Sequence, residues 1–236
     1  MKSAGFLQLA AICGRVGPIL LVVGTLASSL SFQGRAGETY SPLNHFVSEL
    51  GQGGVSSLAF VFNATLVLSG LSLALFLLGL GSFLNNSTGR IAGIMGALSG
   101  LSCSSLGFLT MDHLFPHIAA GDFFFFCGFV SIALFTAAIA LDKKRRLPLW
   151  LILPGTGAAG GFLAFLLLLA AIHLPPEEAL VPGGGPRPTV WTLPAVEWGL
   201  YAAILVWLTC TSGAFARLSR SPAFLEQRPT IPPERT

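Results

Sequence analysis

Charge is what this chain has least of. Asp, Glu, Lys and Arg together make up 10% of its 236 residues, against 53% hydrophobic ones. With a mean hydropathy of +0.76 it is too apolar for an ordinary water-soluble domain. The four cysteines include no CxxC pair. Cys13 lies near the start and Cys103, Cys127 and Cys210 fall in apolar runs, so no redox motif or disulfide framework follows. None of the apolar runs alternates with polar residues, which excludes a transmembrane barrel. No internal repeat is present, so the paired halves of many transporters are not expected. A net charge of +3 gives no case for nucleic acid as a partner.

What the chain has instead is length without charge. A hydrocarbon core of roughly 30 Å needs about 20 helical residues to cross it. Such runs lie near Val16–Phe32, Val55–Leu84, Ile91–Met111, His117–Leu141, Leu149–His173 and Ala195–Leu218. Gly and Pro interrupt several of them, which membrane helices tolerate where neighbours satisfy the backbone. The expected fold is all-α, a polytopic six-transmembrane-helix bundle over residues 1–218, with a disordered cytoplasmic tail at 219–236. The first run, preceded by Lys2 and Arg15, also fits a signal peptide, although its small residues lack a clear cleavage pattern.

Charges sort by loop. All the Lys and Arg except Arg35 and Arg187 fall on one side of the six-span layout. The excess of Lys and Arg in short cytoplasmic loops then places both termini inside a plasma membrane. The densest basic run, Asp142 to Arg146, reads as a topology signal that could also meet anionic lipid headgroups. The third run carries two small-residue rows, Gly89, Gly93, Ala97 and Gly96, Gly100, Ser104, which allow close backbone approach and suggest a place at the bundle centre. Asn63 in the second run should hydrogen-bond a neighbouring helix.

Polar side chains gather on the other side. Between the first two runs, Tyr40 to Gly51 (YSPLNHFVSELG) has Ser41 as an N-cap, Pro42 at the first helical position and Gly51 past the end. Leu43, Phe46, Val47 and Leu50 form one apolar stripe, opposite Asn44, His45, Ser48 and Glu49. This predicts a short amphipathic helix at the membrane interface. The turn MDHLFPHIAAGD (111–122) adds Asp112, His113 and His117, with Pro116 expected to restart the helix, and Asp122 below them. An acidic group at that depth is costly unless paired, so it marks a polar pocket or path. The Pro- and Gly-rich loop after His173 reads as a lid or a plain connector. Glu197 and two tryptophans, Trp191 and Trp198, stand at the start of the last run.

Tyr40-Ser41-Pro42, then Val47-Ser48-Glu49-Leu50-Gly51, Phe62-Asn63 and Gly70, with Phe115-Pro116, His117, Ala120 and Phe124 later, resemble the domain-of-unknown-function 998 family of bacterial and archaeal membrane proteins. The resemblance implies a compact six-helix membrane protein and brings no established reaction, substrate or cofactor.

The functional expectation is a polar cavity facing the outer leaflet, with membrane lipids or another amphiphile as partner. Its candidate residues are His45, Ser48, Glu49, His113, His117, Asp122, His173 and Glu197. A second reading is a metal-dependent membrane hydrolase acting on a lipid amide or ester. Ser41 with His45, and Asp112 with His113 and His117, resemble the ligand set of the alkaline ceramidase-like hydrolases, which implies zinc held by His45, Asp112, His113 and His117. That superfamily carries its histidine pair on the last span, whereas here it follows the third. A bis-histidine haem would need facing imidazoles well inside the membrane, and none is there. A third reading is an accessory or assembly protein without a small-molecule site.

Overall fold

The computed structural model describes residues 4–34, 37–172 and 187–218. Among these residues the long elements are all helices: α1 (Ala4–Leu30), α2 (Ala59–Leu84), α3 (Ser87–Leu106), α4 (Leu114–Ala140), α5 (Ile152–Ala171) and α6 (Thr192–Leu218). Each helix packs chiefly on its neighbours in sequence, and α6 returns to α1. The arrangement is therefore a ring. The expected tail at 219–236 and His173 lie outside the described residues.

Five of these helices are long and apolar enough to cross a membrane. The exception is α3, where Gly and Ser replace the Leu and Phe of its neighbours. That composition has a packing reason. A Cβ at Gly81 of α2 would lie 2.3 Å from the Gly89 carbonyl oxygen, and one at Gly100 of α3 would lie 2.6 Å from the Ala74 nitrogen. The two backbones touch, which only small residues permit. On its other side α3 is tied to α4 by hydroxyls that donate to carbonyls: Ser99 to Phe124 (3.0 Å), Ser102 to Ala120 (2.6 Å) and, in return, Ser131 to Ala92 (2.8 Å). Thus α3 is a member of the ring and not its centre, because its small face seeks one neighbour.

Local chemistry sets the helix ends. Asn85 in the left-handed region stops α2, and the Asn86 side chain accepts from the Gly89 N–H at 2.6 Å to start α3. Pro116 does not restart a helix. It sits in the first turn of α4, where its missing N–H would have had no partner. The basic run is folded by its own acid: Asp142 accepts from the backbones of Lys144 and Arg146, and Arg146 reaches the last α2 carbonyl, Leu84, at 2.7 Å. Lys143, Lys144 and Arg145 remain exposed.

At the end near that basic run the ring is filled. Phe215 meets Phe76 and Phe83 edge-on at 6.0 and 5.3 Å, while Trp207 lies against Phe135. All five are buried. Toward the opposite end the ring opens, and a polar cap covers it.

Candidate functional site

The cap is the loop between α1 and α2. The amphipathic pattern predicts one helix from Ser41 to Gly51, but two pieces form. Ser41 caps a single turn, accepting from the Leu43 N–H at 3.3 Å, and a 3-10 helix follows over Val47–Gly51. Phe46 between them is extended. Two carboxylates explain the break. Glu49 Oε1 accepts the Phe46 N–H and Glu197 Oε2 of α6 accepts the Val47 N–H, each at 2.8 Å. Those N–H groups are taken by side chains and cannot continue the turn. Only its start lies on the surface, with Pro42 and Leu43 exposed, while His45, Phe46, Glu49 and Leu50 are all buried.

Arg187, just before α6, locks this loop down. Its Nη2 donates to Glu49 Oε2 at 2.5 Å and its Nη1 to Glu49 Oε1 at 3.1 Å, a two-pronged pair. Nη1 also donates to the Asn44 carbonyl at 2.9 Å, and Nε lies 3.5 Å from Glu38. Beside it the Trp198 indole donates to Tyr40 Oη (3.0 Å) and the His45 carbonyl (3.1 Å), and Tyr40 Oη donates to the Phe46 carbonyl at 2.9 Å. Burial, and then the Glu197 carboxylate, push the Tyr40 phenol up from its ordinary value, so it stays a donor.

Under the cap lies a cavity of about 140 Å³ between α1, α2, α3, α4 and α6. Its wall is mostly apolar, with Leu21, Phe62, Leu66, Phe124 and Leu200 among the lining side chains. Polar groups are few: Ser48, His117, Glu197 and Tyr201 toward the cap, and Ser69 deeper. Several are already engaged. Ser48 Oγ donates to Met111 Sδ at 3.2 Å, Tyr201 pairs with Thr25 at 2.9 Å and Ser69 donates to the Gly17 carbonyl at 2.9 Å. His117 Nδ1 lies 2.6 Å from the Leu109 carbonyl, so that nitrogen donates, and in the neutral tautomer this selects Nε2 holds a lone pair. Glu197 spends Oε2 on Val47; among the described residues Oε1 accepts no hydrogen bond and no Lys or Arg pairs with it.

A family model described as "Protein of unknown function (DUF998)" matches residues 15–214, a stretch that reaches from α1 to α6. The chain belongs to that family. No curated protein and no solved structure matches it.

Of the eight cavity residues read from the sequence, this DUF998 chain brings three to the cavity: Ser48, His117 and Glu197. His45 is buried one layer away in the cap, its ring edge-on to Phe32 at 5.1 Å and its Nδ1 3.3 Å from the Ser41 backbone. Glu49 is consumed by Arg187. His113 is exposed, and so is Asp122, on the outer surface of α4 and away from the cavity. The expectation that Asp122 marks the pocket is therefore corrected: His117 and Gly121 lie one turn apart on one face of α4, and Asp122, the next residue, is rotated about 100° away from that face.

The proposed zinc ligands do not converge either. Among the described residues no group of three or more His, Cys, Asp or Glu is placed to hold a metal ion. Asp112 instead staples two loops, accepting from the Gly53 N–H at 3.0 Å and from Thr110 at 2.9 Å. Asn63 is likewise redirected, donating to the Gly51 carbonyl of the cap at 2.9 Å. Sequence reasoning missed Arg187, Tyr201 and Thr25. The first stood in a loop read as a lid or connector, and the other two are lone polar residues in apolar runs with no local pattern to single them out.

Proposed function

We propose that this protein holds a small or single-chain amphiphile in the cavity beneath its cap, with the polar head at the end near Ser48, His117 and Glu197. One observation carries the reading: a mostly apolar chamber inside a ring of membrane-type helices, with its free polar atoms concentrated at one end. Cavities that bind small molecules have this make-up, apolar walls with a few placed polar groups. The lining follows α6 from Glu197 to Leu208, about 16 Å at the helical rise. A volume of about 140 Å³ is near that of an engineered cavity known to hold one benzene ring, so two acyl chains do not fit. A membrane lipid would enter by one chain at most. The layout supports six spans with both termini cytoplasmic and the capped end toward the outer leaflet, following the Lys and Arg excess.

Gly121 provides the test. It lines the cavity and is buried, yet a Cβ there would meet only a Phe125 ring carbon at 3.9 Å. Gly121→Val therefore fills the chamber without striking backbone. Native mass spectrometry of gently extracted protein should show a retained amphiphile on the wild type and a reduced load on Gly121→Val. Equal loads, or an unliganded wild type, would remove the reading.

A further inference from the structure

The distribution of free and spent charges in the cavity indicates the kind of head it accepts. Glu197 Oε1 accepts nothing among the described residues, and the His117 Nε2 lone pair has no partner there either. Both are acceptors. The strong donor of the region, the Arg187 guanidinium, is committed to Glu49, Asn44 and Glu38. Among the described residues no Lys or Arg lines the cavity. A carboxylate beside an apolar chamber is costly unless a cation and hydrogen bonds compensate it. An ammonium group beside Glu197 supplies both, a positive charge and N–H donors. A carboxylate or phosphate head would instead face Glu197 with no cation to offset it.

We infer that the cavity selects an amphiphile whose head is an ammonium group on one apolar chain. This rests on the amphiphile reading above and narrows it to a chemical class. The lining is continuous from the carboxylate to the aromatic wall, so head and chain are served by one chamber.

The experiment compares octylamine, octanol and octanoate, which share a chain and differ at the head. Binding to the full-length protein in nanodiscs is measured by isothermal titration, with empty nanodiscs as the blank. Octylamine should bind roughly tenfold or more tighter than octanol, with octanoate weakest, as a charge-assisted hydrogen bond implies. Glu197→Gln keeps an acceptor for the Val47 N–H but removes the charge. It should erase the amine preference by weakening octylamine far more than octanol. Octanol or octanoate binding as tightly as the amine overturns the inference and leaves the amphiphile reading standing; so does an amine preference that survives Glu197→Gln. Absence of binding by all three removes both. Should Glu197→Gln not yield folded protein, the wild-type ranking alone decides.

Discussion

Arg187 and Glu49 are 138 residues apart in the chain and meet as a buried pair within the cap. Side-chain exposures of 17% and 5% mean that neither charge is well solvated, so each depends on the other. His45 sits inside this arrangement as an uncharged part. Burial holds its imidazole below the ordinary value; Glu49 opposes that, Arg187 adds to it, and Glu38 opposes it again. The sign of the consequence follows. A histidine depressed in the folded state binds fewer protons than in the unfolded chain once the pH drops below about 6.5. Its contribution to the cap is therefore full above that value and declines as the pH falls from there. Hydrogen exchange over Tyr40–Gly51, corrected for intrinsic rates, should show protection lost between about pH 7.5 and about pH 5.5. In His45→Gln the loss should be smaller. A loss of the same size in that variant would show that His45 does not carry the pH response.

At the scale of elements, the contact that most constrains the ring is α2 against α3. A Cβ at Gly81 would sit 3.0 Å from Gly93 Cα as well as against the Gly89 carbonyl, and both are backbone atoms that cannot rotate away. Gly81→Ala should thus cost about 1–3 kcal/mol, the range for overpacking a close contact. Gly160→Ala, where a Cβ would meet nothing within 4 Å, is the control and should keep or slightly raise stability. Equal thermal shifts in the two variants would show that the helices separate freely. This interface was legible in the sequence, because small residues spaced by four are a local signal. So were the apolar runs, since length and lack of charge are counted along the chain. The helix at Ser41–Gly51 was half legible: its cap and stripe are local, but Glu197, which takes the Val47 N–H, lies 150 residues away. The cavity was legible only in its parts. Ser48, His117 and Glu197 were named among eight candidates, and nothing along the chain separates them from Asp122 or His113. That separation depends on which face of each helix meets the ring interior, and helices with little amphipathic contrast do not announce it.

For the molecule as a whole, α3 is expected to cross the membrane alongside the five helices that qualify as spans. Its composition falls short of a membrane span because Gly and Ser replace larger apolar residues. Its geometry argues otherwise. From Gly89 beside Gly81, α3 follows α2 to Gly107, where a Cβ would lie 2.6 Å from the Asn63 carbonyl. Asn63 is within the first turns of α2 and Leu84 is its last residue, so α3 parallels nearly the whole of a helix that itself qualifies as a span. At 20 residues it is about 30 Å long, enough for the hydrocarbon core. The hydropathy is low because α3 is flanked by α2 and α4, so part of its surface meets helix and not lipid. The ends of α3 should therefore lie on opposite sides. In a background with Cys13, Cys103, Cys127 and Cys210 replaced, a membrane-impermeant maleimide on intact cells should label His113→Cys. It should reach Ser87→Cys only after permeabilisation. Labelling of both from one side would mean that α3 folds back, and the ring could not then stand across the bilayer with its cap facing out.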